Sequence, residues 1–385
     1  MPVVVDTGGN RTTALGAFRS IALDPAGPAV IFGNVASDGA YDDAVRGTRT
    51  PGAGPPLLLS PAPTAGGQSG EHVLHVGGVA NQQLSPAISY FSTRARDSGA
   101  AQQRFYLVGT ATWGANGALS ALQAHIEALG DVVVGVASYS GGASGRRLQA
   151  HEADTFAEVV STLVAVMPAG GVIVDVLGDA NSTLGLLLEM HSQGVPAGAF
   201  PVISSSVAEG DIGLFEMPGG RSLLVNQLIS LPYLSAAETS ANVAFLGSMA
   251  EWYGVSHKVV SAMESAYTAV RYWASAAQSA NSLGTLGVLQ AMWARPFNSP
   301  AGVVQLMPSN YVSKPNRLGT LDASGEDFRL VAGSDAAIDP DPWWLFPGLL
   351  TTARADFTGW LALICGAGQG MFDAVGVPVP AAARA

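Results

Sequence analysis

The sequence predicts an α/β fold with parallel sheets, divided into about two domains. Three observations lead there. Short apolar runs alternate with helix-length segments, which implies right-handed βαβ crossovers. The length of 385 residues suggests roughly two domains at about 150 residues each. The composition is 48% hydrophobic and only 12% charged, against about 25% charged in an average domain, so a large core and little disorder are expected.

The elements follow in order. "MPVVVD" and "PAVIFGNVASDG" (28–39) are strand candidates, and "PPLLLSPAPTAGG" (55–67) is a strand running into a Pro/Gly loop. "RFYLVGTATWGANG" (104–117) reads as strand and turn, with a helix from about residue 115 to 129. "DVVVGVASYSGG" (131–142) is the next strand. "EADTFAEVVSTLVAVM" (152–167) places Phe156, Val159, Val160, Leu163 and Val164 at helical spacing. "VIVDVLGDANSTLGLLLEM" (172–190) is a buried parallel strand, a polar turn and a helix. "AFPVISSSVAEGDI" (199–212) and "RSLLVNQLI" (221–229) follow, and helices dominate from about Thr239 to Leu289. Between Gly302 and Val331 the pattern turns to period two, with turn signals at Pro308-Ser309-Asn310 and Ala323-Ser324-Gly325, so an antiparallel hairpin or edge pair is expected. The tail beyond Phe346 is Gly/Ala-rich, with helix candidates at 349–361 and 370–375.

Several functions are disfavoured. The net charge is −11 with no basic block, which argues against nucleic acid and anionic membrane as partners. One cysteine, Cys365, rules out an internal disulfide. The start lacks a basic segment followed by a continuous apolar core, so it does not read as a secretory signal. A soluble, cytoplasmic protein is the expectation, with a periplasmic or cell-surface location as the rival if a signal precedes Met1. His72 and His75 would face opposite sides of a strand and make a poor metal pair. No nucleophile elbow, phosphate loop or dinucleotide fingerprint is present. The chain is expected to be non-catalytic, without metal or cofactor.

The polar loops at strand ends carry more. Five have similar form: Asn34 to Gly39, Ser60 to Gly66, Thr110 to Asn116, Gly178 to Thr183 and Ser204 to Asp211. In open parallel sheets ligands sit beyond the strands' carboxyl ends, against helix N-termini. Asp38, Asn181 or Ser182, and Ser206 are candidate helix caps. Asp179 enters a helix where the dipole favours a carboxylate by about 0.3–1 kcal/mol. It can serve as cap or as ligand contact.

Taken together, certain segments resemble type I periplasmic binding proteins. The nearest branch holds urea-binding transporter components and the cytoplasmic amide sensors of aliphatic amidase operons. "SAMESAYTAVRYWASAAQSANS" (261–282) resembles the family's M-E-A-A-Y helix, and residues 297–331 resemble its P-x-G-x-V…N hairpin. "LGDANSTLGLL" resembles the urea branch's N-G-D-S-N turn, and "VGGVANQQLSPAISYF" (76–91) its G-x-x-x-N-Q crossing.

The resemblance implies two doubly wound parallel-sheet lobes, joined by three crossovers and closing on a ligand like a clamp. Lobe one would be residues 1–78 plus 233–298, lobe two 79–232 plus 299–347, and 348–385 a C-terminal extension. The implied contacts on the loops are Ser37, Ser60, Ala62, Thr112, Trp113, Gly178, Asp179, Asn181 and Ser206. Three departures stand out. The family's first strand–helix unit is missing before Met1. The amide branch's Y-P-T-P turn reads Ser60-Pro61-Ala62-Pro63, and its pocket tyrosine is replaced near Thr112, with Trp113 next. The expected function is a receptor for a small neutral amide- or urea-like molecule, acting as a sensor or as a transporter's capture component through a regulatory or transporter protein partner. A homo-oligomer is expected from the missing unit, Trp343-Trp344 and the apolar tail. The alternative is a degenerate paralogue serving as a structural or interaction protein.

Overall fold

The computed structural model describes residues 11–23, 28–33, 56–64, 66, 70, 72–110, 117–139, 152–153, 155–196, 198–216, 220–225, 227–254 and 256–340. The strand expected at Met1–Asp6 and the tail helices lie outside the described residues. The first part holds α1 (Arg11–Leu23) and the strands β1 (Val30–Phe32), β2 (Leu57–Ser60) and β3 (Val73–His75). These strands form a parallel sheet in the order β1-β2-β3. Leu57, Leu58 and Leu59 are all fully buried, as a continuous apolar run in a two-sided parallel sheet should be.

The second sheet is built from β4 (Arg104–Thr110), β5 (Val132–Tyr139), β6 (Glu152–Ala153), β7 (Val172–Val176), β8 (Val202–Ser204) and β9 (Gln227–Leu231). These pair in parallel in the order β9-β8-β7-β4-β5-β6. On one face lie α2 (Ala80–Asp97) and α3 (Ala118–Ala128), which bring Leu84, Ile88, Leu122 and Ile126 into the core. On the other lie α4 (Phe156–Val166) and α5 (Ala180–Ser192), with a 3-10 helix at Glu209–Phe215 and the short α6 (Gly220–Leu224). Helices on both faces make the sheet doubly wound. Its order reverses between β4 and β7, the switch point where such sheets take ligands.

Three further helices, α7 (Ser240–Tyr253), α8 (Ser261–Ala280) and α9 (Thr285–Ala294), precede the antiparallel strands β10 (Phe297–Ser299), β11 (Gly302–Leu306), β12 (Val312–Leu321) and β13 (Phe328–Ile338). Both expected turns are present, with Asn310 at φ 63° and Gly325 at φ 73°. β11, β12 and β13 pair antiparallel, and β12 also pairs antiparallel with β9. The expected hairpin is therefore a meander annexed to the second sheet.

The lobe boundary expected at residue 299 is not where the packing changes. Val304, Leu306 and Val312 join the core formed by Leu57, Leu59, Leu74, Tyr272 and Met292. Leu318, further along β12, joins the core of β4 and α2. One strand thus passes from one core to the other.

The crossings are tied by side-chain hydrogen bonds. Pro86 stands inside α2 without an N–H, so it leaves the Gln82 carbonyl without its helical donor. Asn316 Nδ2 from β12 donates to that oxygen at 3.0 Å and to the Gln83 carbonyl at 3.1 Å. Ser230 Oγ from β9 also donates to the Gln83 carbonyl. Gln82 accepts from Val79 N at 3.0 Å and donates to the Val312 and Ile338 carbonyls at 2.9 and 2.8 Å. At the first crossing no side chain fits at two consecutive positions. A Cβ on Gly77 would overlap the Ala62 carbonyl, and one on Gly78 the Pro232 ring.

Candidate functional site

A cleft of about 220 Å³ opens where these crossings meet. Pro61 and Pro63, from the turn after β2, form one wall with Gly77, Gly78 and Gln83 of the first crossing. The loops after β7 and β8 supply Gly178, Ser205, Ser206 and Asp211, and the start of α8 supplies Ser261 and Ser265.

The loops after β7 and β8 are held by one carboxylate. Asp175 is fully buried in β7. Its Oδ2 accepts from Thr183 Oγ1 at 2.6 Å and Ser204 Oγ at 2.7 Å. Its Oδ1 accepts from Leu177 N at 2.9 Å, with Ser206 Oγ at 3.4 Å. No cation pairs with it among the described residues, and burial pushes its carboxyl up from the ordinary aspartate range, against the pull of these donors. Ser206 Oγ also accepts from Gly178 N at 2.9 Å. Asp175 and Ser206 thus tie the two loops to each other. Gly178 has φ 84°, a left-handed turn suited to glycine.

Asp179 is the N-cap of α5. Its Oδ1 accepts from Ser182 N at 2.9 Å and its Oδ2 from Ser182 Oγ at 2.7 Å. The cap thus falls on Asp179. Asn181 and Ser182, expected as caps, lie inside the helix. Ser206, also expected as a cap, does not act as one. The 3-10 helix is capped at Ala208, whose N–H donates to Asp211 Oδ2 at 2.8 Å. Burial raises the Asp211 carboxyl, with a smaller push from Asp179.

Of the nine expected contacts, the cleft lining brings together Gly178 and Ser206. Asp179 and Asn181 are exposed beside it and do not line it. Ser60 is buried at the end of β2, and its carbonyl accepts from Val76 N at 2.8 Å. Ala62 lies between the two lining prolines without lining the cleft itself. Ser37, Thr112 and Trp113, like the cap candidate Asp38, lie outside the described residues.

The wall formed by α8 is backed by a buried ion pair. Lys314 Nζ of β12 lies 3.0 Å from Glu264 Oε2, and both side chains are 0% exposed. The same ammonium donates to Ser265 Oγ at 2.7 Å, and Thr268 Oγ1 donates to Glu264 Oε1 at 2.6 Å. Among the described lining residues Asp211 is the one charged side chain. Sequence reasoning missed Asp175, Gln83 and Ser265, and named Asp211 only as the end of a candidate loop. For Asp175 a signal was present, an acid in the middle of the apolar run "VIVDVL". For the others only the tertiary approach of distant segments could show it. No group of three His, Cys, Asp or Glu among the described residues could hold a metal, and no described helix is long and apolar enough to cross a membrane.

A family model described as "Periplasmic binding protein domain" matches residues 55–347. No curated protein matches the chain by sequence. Many solved structures share its fold. A leucine-, isoleucine-, valine-, threonine- and alanine-binding protein from Brucella ovis, in a closed conformation, superposes with a TM-score of 0.68 at 16% identity, over 87% of this chain and 85% of that one. An amino acid ABC transporter substrate-binding protein from Pseudomonas fluorescens Pf-5 gives 0.68 at 15% identity, over 88% and 86%. An ABC transporter solute-binding protein from R. palustris, in complex with 4-hydroxybenzoate, gives 0.65 at 15% identity, over 90% of each chain.

Proposed function

We propose a function from one premise: the chain belongs to the type I periplasmic binding protein family, whose model matches residues 55–347. It is a non-catalytic receptor that takes a small, neutral, hydrogen-bonding molecule of amide or urea type in the cleft between its two lobes. The observation that carries this reading is the chemistry of the lining. Serine hydroxyls and a glutamine residue share the lining with three prolines and the apolar Val207, Leu231 and Val260 around a space of about 220 Å³, and no lysine or arginine lines it among the described residues. Drug-sized sites run to about 300–1,000 Å³, so this one suits a molecule smaller than those. An anion such as a free carboxylate would meet Asp211 without a compensating cation.

The receptor reports to a protein partner, either a transporter's membrane component or a regulator, and it assembles as a homo-oligomer. Light scattering that gives a single 39.2 kDa chain at all micromolar concentrations would refute the assembly.

A thermal-shift screen of urea, short amides, thioureas and small amino-acid derivatives tests the ligand class. A ligand at 100 times its Kd stabilises the folded state by about 2.7 kcal/mol, which is a rise of several degrees in Tm. A screen in which amides and ureas shift nothing would favour the interaction-protein alternative.

A further inference from the structure

We infer that Lys258 and Asp327 form a latch between the two lobes: their ion pair spans the seam beside the cleft and breaks when the cleft opens. The inference goes beyond the ligand reading and is independent of which molecule the cleft takes.

The two residues belong to different cores. Lys258 follows α7 and stands next to Val259, which packs with Tyr233, Phe245 and Tyr267. Tyr267 is on α8, and α8 puts Ala269 and Tyr272 into the core of the first sheet. Asp327 ends the turn between β12 and β13 and stands next to Phe328, which packs with Ile173, Val202 and Ile229 of the second sheet. Lys258 Nζ donates to Asp327 Oδ2 at 2.7 Å and to the Glu326 carbonyl at 3.1 Å. Both residues lie away from the crossings tied by Gln82, Gln83 and Asn316, so this is a contact between lobe surfaces. Two residues beyond Lys258, Val260 continues the seam. A Cβ on Gly210 would stand 3.1 Å from Val260 Cγ1, and Val260 lines the cleft opposite Ala208 and Asp211. The walls cannot part there without drawing Lys258 away from Asp327.

The latch is set up in advance at both ends. Val259 is buried and anchors the stretch that carries Lys258. On the other side Asp322 N donates to the Asp327 carbonyl at 2.8 Å, and Asp322 Oδ1 accepts from Gly325 N at 2.8 Å, so the turn holds Asp327 in place. The carboxylate also needs its cation. Its Oδ1 is buried without a partner, and Lys258 is the one cation paired with it among the described residues. Opening would leave a half-buried carboxylate uncompensated. The side chains are 42% and 45% exposed, so salt screens the pair. Its effect on a closed–open equilibrium is therefore that of an exposed pair, up to about fivefold. Such a latch tunes closure without locking it.

Spin labels on the two lobes test the inference without any ligand. Ser192→Cys at the end of α5 and Ser248→Cys on α7 are exposed positions, one on each lobe, and Cys365→Ser removes the native thiol. Pulsed dipolar spectroscopy on the full chain then reads the closed and open populations as two inter-label distances. Lys258→Met should lower the closed-to-open ratio by up to about fivefold. Lys258→Glu should lower it further, because like charges then face each other. The swap Lys258→Glu/Asp327→Lys should bring the ratio back toward the wild-type value, a rescue that a merely structural lysine would not show. Raising NaCl from about 0.05 to about 0.5 M should lower the wild-type ratio and leave that of Lys258→Met level. A ratio that Lys258→Glu leaves unchanged, a swap no more closed than Lys258→Glu alone, or one and the same distance in every variant overturns the latch.

Discussion

Lys314→Met is the perturbation whose effect the structure fixes most firmly. Lys314 and Glu264 form an ion pair at 3.0 Å, with both side chains 0% exposed. Removing one member of such a pair leaves a charge in a dry site, which costs about 3–5 kcal/mol. Two hydroxyls still face the carboxylate, Thr268 at 2.6 Å and Ser265 at 3.4 Å. They soften the loss, so the expected value is the lower end, about 3 kcal/mol. The double variant Glu264→Gln/Lys314→Met removes both charges and keeps an acceptor for Thr268. It should recover at least about 2 kcal/mol of that loss, because a buried pair replaced whole is often close to neutral. Urea unfolding of the two single variants, the double variant and the wild type measures the coupling. The reasoning fails if Lys314→Met lies within about 1 kcal/mol of the wild type, or if the losses of the single variants add in the double.

Other outcomes follow from the same contacts. Asp179→Asn should change stability by no more than a few tenths of a kcal/mol and leave ligand affinity unaltered, because both carboxylate oxygens serve Ser182 and Asn caps about as well; calorimetric titration showing a tenfold weaker Kd would return Asp179 to the site. Glu209 is 2% exposed and accepts from Ser235 N at 2.6 Å, and burial raises its carboxyl to about 7 from 4.5. The folded protein therefore holds this proton more tightly than the unfolded chain, so the contribution is full below pH 4.5 and is lost as pH rises toward about 7, a span of about 3 kcal/mol at 1.36 kcal/mol per pH unit. Glu209→Gln should flatten the stability–pH curve across that window relative to wild type, and parallel curves would refute it. Gly78→Ala sets a Cβ into the Pro232 ring and should cost about 1–3 kcal/mol, together with a loss of cleft binding; a neutral effect in denaturant titration would show that the crossing yields.

Much of the architecture was legible because it is local. The run Val172–Val176 is buried at every residue, and the spacing of Val159, Val160 and Leu163 gives the inward face of α4. The turn residues of the meander announced both reversals. The site was less legible because it depends on segments far apart in sequence. Asp175 is satisfied by Thr183, eight residues on, and by Ser204, twenty-nine on. Nothing in the run itself says that those hydroxyls converge. The cap of α5 stayed open between Asp179, Asn181 and Ser182, since Asp, Asn and Ser all suit the position and only the backbone geometry at Asp179 chooses among them. Gln83 sits in a segment that reads as a crossing, and its place beside the cleft shows only once the distant segments come together.

The passage of β12 between two cores has a consequence for biosynthesis. The core that opens with Leu57 and Leu59 is completed by Val304, Leu306 and Val312, from roughly 250 residues further on. At about 5–20 residues per second, those partners leave the ribosome about 10–50 s after the strands they cover. Until then the early leucines need some other cover. A chaperone that holds the nascent segment would change the yield of this protein more than that of one whose lobes are each made from a single stretch of chain.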